Sequence, residues 1–467
     1  MDRAVVSVST AELSSWLRNP DLMKFPYAAV VREYHHVGKH FVPPELLRML
    51  AEARTLLPSL HGPWPHVHTL ASFLDTALDK PDQRYDYPTY LALSLLQLPG
   101  PDDPLEQALF ARPRCDRLIA QLVADALAFE LAAQDGRTTL LPRMRPDAAV
   151  VGKRYRHGLR VLRPVLGRMA LDSGLTEVGP ADQARQACAA VRGDMSFAER
   201  RAMKLSILPV DTIHDEYLFL RVLQAFETTF ALLSTHLRGA IAALRQGEVD
   251  RAVYFLDGAR TALEESGPLF SMLATMQVEA FRTFRQFTEG ASAIQSRNYK
   301  LVESLCSMPD PGRIDSQAYF SVPDVRMRVL AGQETLDEAC AALLGTGVPE
   351  PDRVRLGAAM ESFARTLARW RQTHYRLAVR MLGEASGTGY TQGTPYLAAV
   401  RDLPVFRTLQ NGVPGGGLHP NGVHANGNGN GNGNGLHDNG LHGNGENGLH
   451  ADGEAVLEAD KETRRAP

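Results

Sequence analysis

Residues 355–382 read RLGAAMESFARTLARWRQTHYRLAVRML. Apolar and aromatic side chains recur in this stretch at steps of three or four residues, and arginines occupy many of the positions between them. The apolar positions are Leu356, Met360, Phe363, Leu367, Trp370, Leu377, Ala378 and Met381. Such steps place side chains on one face of an α-helix. The stretch therefore predicts a long helix that buries its apolar face and exposes its arginines.

The same helical periodicity extends over two other stretches, residues 217–244 and 253–287. Segments in which Val, Ile or Thr alternate with polar residues, as strands require, are scarce. We therefore predict an all-α fold, a bundle of helices.

Composition divides the chain into four segments. Residues 1–98 contain many prolines, which predict short helices joined by loops. Residues 99–206 form a helical block rich in Ala, Leu and Arg, and residues 207–410 form a second helical unit. Residues 411–467 are rich in Asn and Gly and hold too few apolar groups to offset the entropy of ordering, so we expect a disordered tail.

Charge and cysteine content exclude several classes of protein. The 50 basic and 53 acidic residues give a net charge of -3, which argues against a nucleic-acid binder. The four cysteines have no CxxC spacing, which argues against a zinc ribbon, an iron–sulfur site or a disulfide framework. The sequence has no signal-like N-terminal segment and no apolar run of about 18 residues, so we expect a cytoplasmic protein without a membrane contact.

The helix predicted from residues 355–382 carries a histidine on its apolar face. His374 lies four residues after Trp370 and seven after Leu367, so its imidazole points inward with them. A core histidine that is satisfied by a hydrogen bond fits this position. An axial haem ligand fits it as well, because haem iron takes a neutral imidazole. Periodicity leaves both interpretations open.

Two further stretches allow either a structural or a binding role. Arg285 shares a predicted helix face with Phe281, so it either forms a structural ion pair or holds a ligand carboxylate. Residues 387–396 read GTGYTQGTPY, which suits a helix end and connection, or a flap that closes over a ligand.

Metal sites are a weaker possibility. Histidines cluster in residues 35–40 and 61–68, although packing in proline-broken loops is the simpler interpretation of both clusters. The sequence His-Asp-Glu at 214–216 fits the acidic first turn of a helix, and three adjacent residues there cannot all face one ion.

Taken in order, these motifs resemble the tryptophan 2,3-dioxygenase family. Residues 214–219 resemble its His-Asp-Glu-x-Leu-Phe motif, and residues 284–296 resemble its Phe-Arg…Ser-Gly-x-Gln-Ser stretch. Trp370 to His374, with the following RMLG and GTG, resembles the helix that carries the haem ligand and its loop. Residues 87–91, YPTYL, resemble a Tyr-Gly-x-Tyr-Leu segment near the family's N-terminus.

The resemblance implies an all-α haem-binding bundle of the tryptophan 2,3-dioxygenase type. It implies haem b as cofactor, with His374 as the iron ligand and Ser292 as a further contact of the cofactor. The implied reaction adds both atoms of O2 across the indole C2–C3 bond of L-tryptophan and gives N-formylkynurenine. The family is usually a homotetramer, so the resemblance also implies a homo-oligomer, either a tetramer or a dimer.

The resemblance further implies a substrate site. Arg285 would bind the substrate carboxylate, and Thr388 would bind its ammonium and carboxylate. Phe219 would pack against the indole ring, and Tyr87 and Tyr90 would reach the site across a subunit interface.

Several features depart from the family pattern. Ala293 and Ile294 replace a Gly and a Phe of the family, and residues 99–206 are an insertion where the family has a short connection. Leu223 stands where the family has its distal histidine, and Phe281 replaces a tyrosine in the substrate site. Leucine cannot bond the indole N–H, and a buried N–H without a partner costs about 1–3 kcal/mol. The alternatives are therefore a haem-dependent monooxygenase that hydroxylates an aromatic amino acid in specialised metabolism, and a non-catalytic haem-binding protein.

Overall fold

A computed structural model describes residues 8–84, 86–176, 179–288, 290–383 and 394–408. Regular structure in these residues is helical, apart from one bridge between Arg143 and Ile213, and the all-α prediction is confirmed. The helices are α1 (Val8–Arg18), α2 (Tyr27–Val37), α3 (Pro44–Leu56), α4 (Trp64–Ala77), α5 (Tyr87–Tyr90), α6 (Ala108–Gln134), α7 (Ala148–Arg168), α8 (Pro180–Asp194), α9 (Phe197–Leu205), α10 (His214–Arg245), α11 (Val249–Glu265), α12 (Gly267–Leu273), α13 (Val278–Arg285), α14 (Arg297–Cys306), α15 (Pro311–Ile314), α16 (Gln317–Phe320), α17 (Pro323–Leu330), α18 (Leu336–Leu344), α19 (Glu350–Leu382) and α20 (Thr394–Arg401).

Residues 355–382 form most of α19. Acidic residues lie in its first turn and Arg380 lies in its last turn. Each charge is opposite in sign to the partial charge at that end of the helix, so both interactions are favourable. Gly383 follows with φ of 61°, a value that glycine adopts without steric cost. The buried residues of α19 include those predicted at Leu356, Met360, Phe363, Leu367 and Met381.

Helix α10 runs through the centre of the core. It packs against α6, α11 and α14, and side chains on every side of it are buried. Glycines bring α10 and α11 close together. A Cβ at Gly239 would lie 2.9 Å from the Phe255 ring, and a Cβ at Gly258 would lie 2.6 Å from the His236 ring. Both positions therefore require a residue without a side chain.

The block of residues 99–206 supplies α6 to α9. Helix α6 packs along α10, and α7 and α8 pack on α6, so their apolar side chains share the core cluster of α10. A buried ion cluster reinforces this contact: Arg154 of α7 donates to Glu130 and to Asp215, each at 2.6 Å. His214 lies 3.1 Å from the same Glu130. The division into domains at residues 98, 206 and 410 stays a prediction.

The single stripe predicted over residues 253–287 is wrong as one helix. The structure has three helices there, α11, α12 and α13. Pro268 lies in the first turn of α12, where a proline begins a helix because it has no N–H to donate. The periodicity continues across the breaks because all three helices pack on the same core.

The N-terminal helices α1 to α4 are short, as the prolines predict, and they form most of a second, smaller apolar cluster. None of the helices in the described ranges is both long and apolar enough to cross a membrane. The tail predicted over residues 411–467 lies outside the described residues.

Candidate active site

One cavity of about 260 Å³ gathers most of the residues that the sequence singled out. Helices α5, α10, α12, α13, α14, α19 and α20 contribute to its wall. The sequence-predicted residues on this wall are Tyr87, Tyr90, Phe219, Leu223, Phe281, Arg285, Ser292 and His374. Thr388 lies outside the described residues.

His374 lies on this wall among aromatic rings. Its ring centroid is 5.3 Å from that of Trp370 and 6.3 Å from that of Phe270. Burial lowers the pKa of His374 to about 4, so the imidazole is neutral at physiological pH. Its ring nitrogens make no hydrogen bond to the part of the chain that the structure describes. A neutral imidazole in this state can bind a metal centre in the cavity.

A second part of the wall is purely apolar. The Phe219 ring lies 5.7 Å from Phe281 and 5.3 Å from Phe284, measured between centroids. Leu223 follows Phe219 by one turn of α10 and lines the same cavity. This surface can hold an aromatic ring by packing, and its side chains offer no hydrogen bond.

Arg285 ends α13 and lines the cavity beside this surface. The side chain is half-buried, and burial lowers the pKa of its guanidinium. Arginine nevertheless stays protonated at physiological pH. It is a cation on the cavity wall that can bind a carboxylate.

Tyr87 and Tyr90 reach the cavity from the same chain. Tyr90 donates to Glu216 at 3.1 Å, and the backbone N–H of Tyr87 donates to the Gln295 side chain at 3.0 Å. The same Gln295 oxygen accepts the N–H of Ser292 at 3.2 Å. These bonds fasten α5 beside the 292–296 segment. In this structure both tyrosines line the cavity of their own chain. Their contribution across a subunit interface stays a prediction, as does the homo-oligomer.

Four charged residues of the cavity wall were not predicted from the sequence: Glu227, Lys300, Arg371 and Arg401. Glu227 accepts hydrogen bonds from Ser296 and Asn298, and burial raises its pKa to about 7. The sequence does hold a signal for two of them. Arg371 shares a helix face with His374, and Glu227 shares one with Leu223, so each could have been predicted from its neighbour in the site. Lys300 has no such neighbour in sequence.

The histidine clusters of the N-terminal segment have other roles. His35 lies 2.7 Å from the Ile207 carbonyl oxygen, and His66 is bonded to Arg201. In the described ranges, no group of three or more His, Cys, Asp or Glu side chains is placed to hold a metal ion.

Fold and cavity together define an all-helical protein with a neutral histidine and an arginine on the wall of a mainly apolar site. The sequence is 25% identical to a tryptophan 2,3-dioxygenase of Polaromonas naphthalenivorans (strain CJ2) over 234 residues, which is 42% of this chain and 82% of that protein. Tryptophan 2,3-dioxygenase of Bradyrhizobium sp. (strain ORS 278) is 24% identical over 255 residues, which is 47% of this chain and 91% of that protein. No protein-family model matches the sequence. The similarity indicates a distant relationship to tryptophan 2,3-dioxygenases.

Proposed function

We propose that the protein is a haem-dependent oxygenase that opens the indole ring of L-tryptophan, or of a close analogue, with O2. The observation that carries this proposal is that His374 and Arg285 both line one mainly apolar cavity. The distant relatives that are named tryptophan 2,3-dioxygenase support it.

The residues of the cavity suit haem b. His374 offers a neutral imidazole, which is the form that iron binds. Around it, the rings of Phe226, Phe230 and Trp370 pack together, with centroids 5.7 Å and 5.2 Å from Trp370. These rings form the apolar surface that a porphyrin requires. When bound, haem supplies the activation of dioxygen.

The other residues of the wall would bind and orient the substrate. Arg285 would bind the carboxylate, which fixes the direction of the amino acid in the cavity. Phe219 and Phe281 would pack against the aromatic ring and exclude water from it. Thr388, outside the described residues, would complete the site in this proposal.

The proposal is tested by loading the purified full chain with haem and adding tryptophan under labelled dioxygen. We expect a stoichiometric Soret band, a spectral change on adding tryptophan, and N-formylkynurenine with two labelled oxygen atoms. One labelled atom in a hydroxylated product would assign a monooxygenase instead. A haem spectrum that no aromatic amino acid changes would indicate a non-catalytic haem-binding protein.

Replacing Arg285 by leucine is expected to weaken tryptophan binding about 10- to 100-fold, because a charge-assisted hydrogen bond to the carboxylate is lost. Haem content should stay at the wild-type level. The measurement is a spectral titration with tryptophan, and Arg251→Leu, at an exposed site on α11, is the matched control. Equal affinities in the two variants would remove Arg285 from the site.

Replacing Leu223 by histidine is expected to increase tryptophan affinity, because the imidazole can accept a hydrogen bond from the indole N–H. An unsatisfied buried N–H costs about 1–3 kcal/mol, so the gain is about 5- to 100-fold. The affinity for 1-methyltryptophan, which has no ring N–H, should not increase. Binding titrations of both amino acids to both proteins measure this difference, and an equal gain for the two would contradict the proposed ring position.

A further inference from the structure

Two buried cations, one partly buried cation and one buried carboxylate lie together beside the cavity. We call Lys300, Arg313, Arg371 and Glu303 the cationic cluster. Lys300 and Arg371 are 2% and 5% exposed, and both line the cavity. Lysine and arginine are rarely buried to this degree without an anionic partner.

The carboxylate of Glu303 is hydrogen-bonded mainly to one of these cations, Arg313. It accepts two hydrogen bonds from Arg313, at 2.6 and 2.7 Å, and one from the Tyr319 hydroxyl at 3.2 Å. Lys300 forms a longer ion pair with it, at 3.5 Å. The single charge of Glu303 is therefore shared between Arg313 and Lys300 and cannot neutralise both.

The partners of Arg371 are neutral. Its Nε donates to the Tyr299 hydroxyl at 2.9 Å, and one terminal nitrogen donates to the Leu403 carbonyl at 2.7 Å. Two hydrogen bonds use two of the five N–H donors of a guanidinium. No carboxylate in the described ranges forms an ion pair with Arg371.

Other buried acids near the cavity are engaged elsewhere. Glu227 is bonded to Ser296 and Asn298. Asp337 accepts from the backbone N–H of Arg407 and from the Thr408 hydroxyl. The cationic cluster therefore carries an excess of two positive charges. Burial and the neighbouring Arg313 lower the pKa of Lys300 to about 8, which agrees with that excess.

We propose that Lys300 and Arg371 bind the two carboxylates of the haem propionates, which rests on the function proposed above. Haem b brings two negative charges into the cavity, and the cationic cluster has two positive charges to match. A zwitterionic amino acid brings no net charge, and in the proposed site its carboxylate is bound by Arg285. Arg371 also precedes His374 by three residues on α19, so one helix face would hold both the iron and a carboxylate.

The test compares protohaem with its dimethyl ester, which has the same ring and no free carboxylate. The full-length protein is loaded with either form, and transfer of the haem to excess apomyoglobin gives the release rate. We expect wild-type protein to release the ester about 10- to 100-fold faster than protohaem. Arg371→Leu and Lys300→Met should each reduce this ratio at least about threefold by speeding protohaem release alone.

Matched variants separate charge from packing. Arg371→Lys should keep most of the ratio, and Arg369→Leu, exposed on the same helix, should keep all of it. If one charge-removing variant fails to fold, the other variant still assigns its residue, and the wild-type ratio still tests whether the carboxylates are bound. A wild-type ratio near one would overturn the inference while leaving the proposed function intact. Loss of tryptophan affinity in Arg371→Leu with an unchanged ratio would also overturn it, because the cluster would then bind the substrate.

Absence of haem binding, which would end the proposed function, gives a different result. In that case the wild-type chain would bind neither protohaem nor the ester, and no Soret band would form with either.

Discussion

The His374→Ala variant is expected to lose haem binding, with an affinity at least about 100-fold below that of the wild type. Changes to residues that merely support a metal ligand already cost about 10- to 100-fold, and this substitution removes the ligand itself. The measurement is a Soret titration of the haem-free chain. Because the neutral His374 lines the cavity, free imidazole should enter the space left by its ring and restore the band.

A histidine outside the cavity provides the control. His157 lies on α7, is half-buried, and does not line the cavity. His157→Ala should bind haem as the wild type does. Full haem binding by His374→Ala, with no response to imidazole, would show that the iron ligand is another residue.

The Arg154→Leu variant is expected to lose about 3–5 kcal/mol of the free energy of unfolding. Arg154 is fully buried and bridges Glu130 of α6 and Asp215 of α10, each at 2.6 Å. Removing the cation leaves two buried carboxylates without their shared counter-ion, since Glu130 keeps only His214 and Asp215 keeps only the backbone N–H of Gln277. Urea unfolding of the haem-free chain measures the loss, since bound ligand would mask part of it.

An arginine two residues away tests whether burial is the cause. Arg156 is exposed on the same helix, and Arg156→Leu should change the free energy of unfolding by less than about 0.5 kcal/mol. Equal losses in the two variants would mean that the helix, rather than the buried ion cluster, is responsible. A large loss in Arg154→Leu alone would show that residues 99–206 stabilise the start of α10.

Helical periodicity predicted those features of the fold that depend on a single helix. The apolar face of α19 and the inward position of His374 follow from steps of three and four residues. The breaks in residues 253–287 were missed because three helices that pack on one core preserve the period across their ends. Pro268 was the visible signal, and it marks the first turn of α12.

Charge partners could not be read from the sequence, because they join distant segments. Lys153-Arg154-Tyr155-Arg156 has the appearance of a basic surface cluster, yet Arg154 is completely buried against Asp215. Tyr90 and Glu216 are separated by 126 positions and meet at 3.1 Å. The motifs follow a recognisable order along the sequence. Their spacing does not show whether the tyrosines line the cavity of their own chain or that of a second copy.

The cavity wall draws on α5 near the start of the chain and on α19 and α20 near its end. During translation α10 is complete long before His374 leaves the ribosome, and at about 5–20 residues per second the interval is on the order of ten seconds. The unfinished chain exposes the aromatic face of α10 without the helix that covers it. Under the proposed function, haem would therefore be held only after α19 is made, and a messenger truncated before α19 would yield a product without His374 that added haem does not rescue.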